Sequence, residues 1–195
     1  MKSIQLKYRF KKMLADVNIT LGIYMRLRDK FMDTILLEST DFHAGENSYS
    51  FIGINAIAGI EIKNSNEIEY KLPAQKSEKI TIKNPLDVPT HLWEFMQRFD
   101  VTVQTAKPIN AAQGLFGYTT YDAVQFFDTI KLTTDDRRPT TDIPQSANGD
   151  IPLMRYRLYQ YVIIFNHFKD ELFICENIIA GVESDLAAVE SLIAS

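Results

Sequence analysis

The sequence predicts an α+β protein: mainly antiparallel β-sheets, sandwich-like, flanked by a few helices. Three observations lead there. Glu67 to Leu72 and Lys79 to Ile82 alternate apolar and charged residues, the period of a strand with one face in water. Arg155 to Asn166 alternates in part and then turns fully apolar, Asn166-His167-Phe168-Lys169-Asp170 makes a turn, and Glu171 to Glu176 returns, which describes a β-hairpin. Asp16 to Phe31 and Ser184 to Ala194 carry apolar residues at helical spacing instead.

Taken in order, the first helix is expected over Asp16 to Phe31. Val17, Leu21, Tyr24, Leu27 (or Arg28) and Phe31 recur along one side, and Asp16 or Asn18 is placed to cap it. Thr34 to Glu38 is short, β-branched and apolar, the pattern of a buried strand. Asp41 to Ser48 holds Gly45 and Asn47 and reads as a loop. Tyr49 to Ile62 is a long strand in which Gly53 and Gly59 mark bends or bulges. Asn84 or Asp87 starts a helix carrying Leu92, Trp93, Phe95, Met96 and Phe99. Gly114 to Tyr118 reads as a buried strand with a short helix, Thr119 to Phe127, behind it. Thr133 to Asp150 is crowded with Thr, Asp, Arg and Pro and almost free of apolar residues, so a long mobile loop is expected. Leu186, Val189, Leu192 and Ile193 share one side of the last helix.

The composition excludes several classes of function. A chain of 195 residues, 46% hydrophobic, suits one domain with an ordinary core. The formal net charge is -4, without a basic face, so nucleic acid is not an expected partner. Cys175 is the single cysteine and cannot form an internal disulfide, which suits a reducing compartment. Met1 to Lys12 is basic and interrupted by charges, unlike a secretion signal. The longest apolar runs, such as Val162 to Phe165, are too short to span a bilayer. A soluble cytoplasmic protein is the reading these features favour.

Taken locally, the polar residues suggest little chemistry. Glu38 reads as a rim carboxylate and Ser39 as a turn or cap residue. Gly114, Gly117 and Tyr118 lack the spacing of a phosphate loop, and the two glycines read as packing residues of a tight strand. Tyr121 and Asp122 suit a capping or interface role. His43, His91 and His167 are far apart, without partners at metal-ligand spacing. Cys175 lies in an apolar strand and reads as a core thiol, and Trp93, Phe95 and Phe99 as core aromatics.

Three segments in order carry a resemblance. Leu36-Leu37-Glu38-Ser39 is followed, after a loop, by Tyr49-Ser50-Phe51-Ile52-Gly53. Gly114-Leu115-Phe116-Gly117-Tyr118 is followed by Tyr121-Asp122. The late hairpin spans Tyr161 to Asn177. Each piece is short, but together they resemble the large subunit, component I, of the anthranilate synthase family over nearly the whole chain. That family shows a Leu-Leu-Glu-Ser strand, a Ser-Phe-Ile-Gly strand, a Gly-x-x-Gly-Tyr-x-x-Tyr-Asp stretch and a strand ending in Phe-Asp-His. This chain departs from the pattern at Thr20-Leu21, where the family has Thr-Pro, at Asn166-His167, where it has Asp-His, and at Ser48, where it often has a basic residue.

The resemblance implies the amino-terminal lobe of a chorismate-using lyase. Such enzymes make anthranilate with ammonia from a glutamine amidotransferase subunit, component II, and magnesium holds the chorismate carboxylate. The catalytic groups and the magnesium ligands lie in the family's carboxy-terminal domain. Residues 1–195 are therefore expected to form one domain that ends before it and to lack lyase activity alone. What the resemblance places here is the tryptophan feedback site. Glu38 would face the ammonium group and Ser39 would hydrogen-bond the polar end, while Tyr49 and Ser50 on the adjoining strand line the pocket. Two alternatives stand beside this one: the aminodeoxychorismate synthase component of folate biosynthesis, and a free-standing amino-acid-binding module. Self-association is expected through the apolar strands Gly114 to Tyr118 and Tyr161 to Phe165.

Overall fold

Two long segments rich in isoleucine, valine and aromatic residues organise the structure, because β-branched and aromatic side chains pack well on a pleated surface. The computed structural model describes residues 3–15, 20–39, 48–101, 108–129 and 151–194. In chain order its strands and helices are β1 (Ile4–Leu14), α1 (Thr20–Arg28), β2 (Ile35–Leu37), β3 (Tyr49–Asn64), β4 (Glu67–Lys71), β5 (Glu78–Thr81), α2 (Val88–Met96), β6 (Phe99–Val101), β7 (Phe116–Thr119), β8 (Met154–Asn166), β9 (Glu171–Ile178) and α3 (Leu186–Ala194). Short 3-10 turns span Pro85–Asp87, Ile109–Gln113 and Tyr121–Phe126.

β3 and β8 run antiparallel along nearly their full lengths, from Tyr49 opposite Asn166 to Ile62 opposite Met154. The other strands add to this pair, giving a nine-stranded sheet in the order β5-β4-β3-β8-β9-β1-β6, with β2 beside β3 and β7 beside β8. β1 and β6 pair in parallel and the remaining ladders are antiparallel. The fold class is therefore the expected one, α+β and mainly antiparallel, with the strands hydrogen-bonded into one sheet. Ile23 and Leu27 of α1 and Val189 and Ile193 of α3 close one face over Ile52, Ile54, Tyr161, Ile163 and Phe165. The opposite face gathers Phe116, Tyr159, Val162, Ile164, Phe173 and Cys175 beneath the turn at Ile109 and Ala112. A third cluster packs Ile60, Ile62, Ile68 and Tyr70 against Val88 and Phe95 of α2.

The change from one cluster to the next comes from a fault in the pleat. Asn55 has φ of 56°, a left-handed conformation that Asn tolerates better than most residues. Its side-chain amide donates to Gln160 Oε1 on the facing strand at 2.5 Å. Ile54 and Tyr161 pack under the helices, whereas Ala56 and Tyr159, two residues further along their strands, pack on the opposite face. The register then shifts between Ala56 and Ala58. The bulge expected at the glycines thus lies between them, since one extra residue bends a strand wherever it is inserted. Gly53 serves close approach instead: a Cβ there would come within 2.6 Å of the Tyr159 ring.

Other expectations also need correction. β1 falls in a stretch read only as basic and interrupted by charges. Three of its cations pair with carboxylates distant in sequence: Arg9 with Glu176 and Lys12 with Glu171 on β9, and Lys11 with Glu190 on α3. The stripe of α1 runs through Thr20, Ile23 and Leu27, and Leu21 faces solvent. β2 is not buried, because it is a short strand that pairs, among the described residues, with β3 alone, and Leu37 is exposed. In α2 only Val88 and Phe95 are buried, and Trp93 is 59% exposed, so it is not a core residue. Phe99 belongs to β6, where it is half-buried. In β7 only Phe116 is buried, because among the described residues β7 pairs with β8 alone. Tyr161 to Phe165, expected to offer an exposed apolar surface, is buried at the centre of the sheet. The loops expected over Thr133 to Asp150 and over Asp41 to Asn47, with His43, lie outside the described residues, as do the candidate caps Asp16 and Asn18.

Gly117 decides whether β7 can dock on β8. A Cβ at this position would land on the Arg155 carbonyl oxygen, which belongs to the β8 backbone and cannot rotate away. Gly117→Ala is therefore expected to cost about 1–3 kcal/mol through forced backbone shifts. Urea unfolding of the 195-residue chain measures it, and an unchanged midpoint would show that β7 docks by other means.

Candidate functional site

The residues singled out in the sequence converge where three strands end. β2 finishes beside the start of β3, and β3 starts beside the end of β8, so Ser39, Ser50 and the residues after Asn166 become neighbours. The Ser39 backbone N–H donates to Ser50 Oγ at 3.2 Å. Ser48 Oγ donates to Ser39 Oγ at 3.2 Å. His167 Nε2 lies 2.7 Å from Ser50 Oγ, and the His167 backbone N–H donates to the Ser48 carbonyl at 3.0 Å. The His167 ring stacks on Phe165 at a centroid separation of 6.4 Å.

These contacts assign unequal roles to Glu38, Ser39, Tyr49 and Ser50. Ser50 is 1% exposed and Ser48 is 4% exposed, so both hydroxyls sit inside the protein and must find protein partners. Ser50 therefore braces Ser39 rather than facing solvent. Ser39 is half-buried and Glu38 is exposed just past the end of β2, which leaves these two accessible from outside. Tyr49 is half-buried and packs near Phe51, with ring centroids 6.4 Å apart. Its side chain belongs to the sheet face that carries Phe116 and Tyr159, whereas Ile52 packs under the helices. Successive strand residues point to opposite faces, so Tyr49 and Ser50 project to different sides of β3.

Sequence reasoning missed Ser48 and His167 as members of this cluster. Ser48 stood out as a loop end and a departure from the family pattern, and His167 as a turn residue, half of an altered Asp-His pair and a histidine without metal-ligand partners. The hairpin turn was the available signal. Asn166 Oδ1 accepts the backbone N–H groups of Phe168 and Lys169, each at 3.2 Å, an Asx turn that fixes the start of the loop and hence the position of His167.

A second polar assembly lies beyond the opposite end of β2. Asp33 bridges two guanidinium groups, Arg155 Nη2 at 2.7 Å and Arg157 Nε at 3.1 Å, and Arg157 Nη2 reaches Glu61 at 2.7 Å. Burial alone would lower the pKa of Arg157, but hydrogen bonds to Glu61 and Asp33 outweigh it and hold the value above normal. A cleft of about 160 Å³ opens here, lined by Asp33, Ile35, Phe116, Tyr118, Arg155 and Tyr159 among others. Glu38, Ser39, Tyr49 and Ser50 are not part of its lining.

Other candidates have structural roles. Cys175 is buried in β9, and burial pushes its thiol up to about 12, which makes the thiolate rare at neutral pH. Tyr70 and His91 meet at 3.1 Å, joining β4 to α2. Among the described residues, no group of three or more His, Cys, Asp or Glu could hold a metal ion. No helix among them is long and apolar enough to cross a membrane.

Comparison with known proteins adds a direction. No family model matches the chain. Anthranilate synthase component 1 of Methanothermobacter thermautotrophicus is 27% identical over 150 residues, which cover 76% of this chain and 27% of that protein. Anthranilate synthase component 1 of Acinetobacter calcoaceticus is 26% identical over 169 residues, covering 85% of this chain and 31% of that protein. The crystal structure of anthranilate synthase component I from Streptococcus pneumoniae matches over 93% of this chain and 35% of its own, with 22% identity and a TM-score of 0.43. The chain is thus similar to anthranilate synthase component 1 and spans about three tenths of the length of these curated relatives, 27% and 31%.

The charge network has a consequence for stability that does not depend on function. Arg157 has a side-chain exposure of 10%, and its removal takes one of the two guanidinium groups that Asp33 and Glu61 share, leaving Arg155. Arg157→Ala is expected to destabilise the fold by about 2 kcal/mol, the loss of its hydrogen bonds to two charged groups that retain Arg155. Denaturant unfolding checks this, and a loss below about 1 kcal/mol would mean that water replaces the guanidinium.

Proposed function

We propose that this chain is the amino-terminal part of an anthranilate synthase component I and that the end of β2 supplies the charged-end contacts of its tryptophan feedback site. One observation carries the reading. Ser39 and Ser50, which the family motif singles out along the sequence, are hydrogen-bonded where β2, β3 and β8 end, with Glu38 exposed beside them and Tyr49 on the other side of β3. The names of the curated relatives favour the anthranilate branch over the folate branch.

The recognition chemistry fits a zwitterion. An amino acid needs an anionic acceptor for its ammonium, a donor for its carboxylate and an apolar slot for its side chain. Glu38 supplies the acceptor and Ser39 the polar partner, and charge-assisted hydrogen bonds give the selectivity. Ser50 contributes by holding the Ser39 backbone, and Tyr49 borders the site from the other face of β3. The indole slot is completed by the remainder of the parent enzyme, so the 195-residue chain alone binds tryptophan weakly.

In the parent enzyme, chorismate chemistry and magnesium belong to the carboxy-terminal domain, and the glutamine amidotransferase subunit supplies ammonia. This part acts by regulation. Tryptophan bridging two domains favours the arrangement that binds chorismate poorly, a linkage worth about 1–3 kcal/mol in typical allosteric systems. The surface open to self-association is the outer side of β7 and not the buried Tyr161 to Phe165.

Ser39→Ala in the complete enzyme is expected to raise the half-inhibitory tryptophan concentration about tenfold, the loss of one hydrogen bond to a charged group. Catalysis without tryptophan stays unchanged. Steady-state inhibition curves make the comparison, and coincident curves for the two proteins would remove Ser39 from the pocket.

A further inference from the structure

We propose that His167, which contributes nothing to the ligand directly, is the positioning residue that sets the conformation of Ser39. The inference rests on the reading of Ser39 given above, but its contacts do not depend on that reading.

Ser50 Oγ is the node. It accepts the Ser39 N–H at 3.2 Å and meets His167 Nε2 at 2.7 Å, and at 1% exposure Ser50 has no ready supply of water to replace either partner. A hydroxyl rotates freely about its Cβ–Oγ bond unless a partner fixes it. His167 is that partner. Its ring is held from one side by stacking on Phe165, with planes 14° apart, and its backbone by the hydrogen bond to the Ser48 carbonyl. Ser48 in turn donates its hydroxyl to Ser39 Oγ. The turn between β8 and β9 therefore reaches Ser39 by two routes: through Ser50 to its backbone, and through Ser48 to its side chain. The ends of three strands are locked at one point. β2 is only three residues long and, among the described residues, has no strand beside it other than β3.

The same pair does not serve as a nucleophile and base. The Ser50 hydroxyl is buried and already occupied by the Ser39 N–H, so no substrate carbonyl can approach it. The geometry is that of a brace.

Two substitutions separate bracing from bulk. His167→Phe keeps an aromatic ring for Phe165 and the backbone bond to Ser48 but removes Nε2. His167→Gln places an amide close to where Nε2 stood. In the 195-residue chain, the expected result is Ser39 amide hydrogen exchange about fivefold faster in H167F and restored to within about twofold of wild type in H167Q. In the complete enzyme, H167F raises the half-inhibitory tryptophan concentration about fivefold and H167Q restores it, with kcat and KM for chorismate unchanged in both. Unchanged Ser39 exchange in H167F, or exchange in H167Q as fast as in H167F, overturns the proposal. If H167F does not fold, His167→Asn, whose amide falls short of Ser50, replaces it in the same comparison. A Ser39→Ala enzyme with normal tryptophan sensitivity would sink the reading of the pocket, while the exchange experiment would still judge His167.

Discussion

The ladder between β3 and β8 is the constraint on which the rest depends. These two strands pair from Tyr49 opposite Asn166 to Ile62 opposite Met154, and their neighbours on both sides are ordered by that alignment. Residues far apart in sequence meet because of it. A one-residue slip would turn every side chain to the other face, driving Ile52, Ile54 and Ile163 into the cluster that Phe51, Val162 and Ile164 fill. The register is held by this penalty and by cross-strand contacts such as Asn55 with Gln160.

Departures from regularity along the ladder decide where each cluster forms. Near Asn55 and Gln160 the strands exchange the residues they present to their two faces. Beyond that point the sheet packs against α2, and before it against α1 and α3. The irregularity leaves a set of buried polar groups, and most are answered locally. Gln160 also donates to the Glu183 carbonyl, and the Asn177 amide donates to the carbonyls of Ala112 and Tyr159. The Asp33, Glu61, Arg155 and Arg157 network ties the entry to β2 into the same part of the sheet. β2 is thereby fixed at its start by charge pairs and at its end by the serine cluster.

This double fixation bears on function. The ligand contact proposed at Glu38 and Ser39 would act on a strand too short to be rigid by itself, so the geometry there belongs to the groups around it. His167 on the hairpin and Asp33 at the opposite end are the two handles. Similarity to component 1 of anthranilate synthase supplies the direction of the proposal, at 27% identity over 150 residues for one relative. The hydrogen bonds supply its specific content.

The sequence by itself determined the α+β class, the β8–β9 hairpin, the long strand β3, the alternation of β4 and β5, and the apolar face of α3. Periodicity records which side of an element is buried, and turn residues such as Asn166 mark where chains reverse. It also marked Ser39, Tyr49 and Ser50, through a motif rather than through local chemistry. Only the tertiary structure decided the rest. β1 read as a charged segment because Arg9 and Lys12 meet Glu176 and Glu171 on β9 and Lys11 meets Glu190 on α3, partners that no local window contains. β2 and β7 read as buried because they are apolar, yet short strands that pair, among the described residues, on one side alone leave part of themselves in water. His167 joined Ser50 across 117 positions of sequence, a meeting created by strand pairing and invisible to spacing. Burial and hydrogen bonding are properties of neighbours in space, and only the alignment of β3 with β8 specified who those neighbours were.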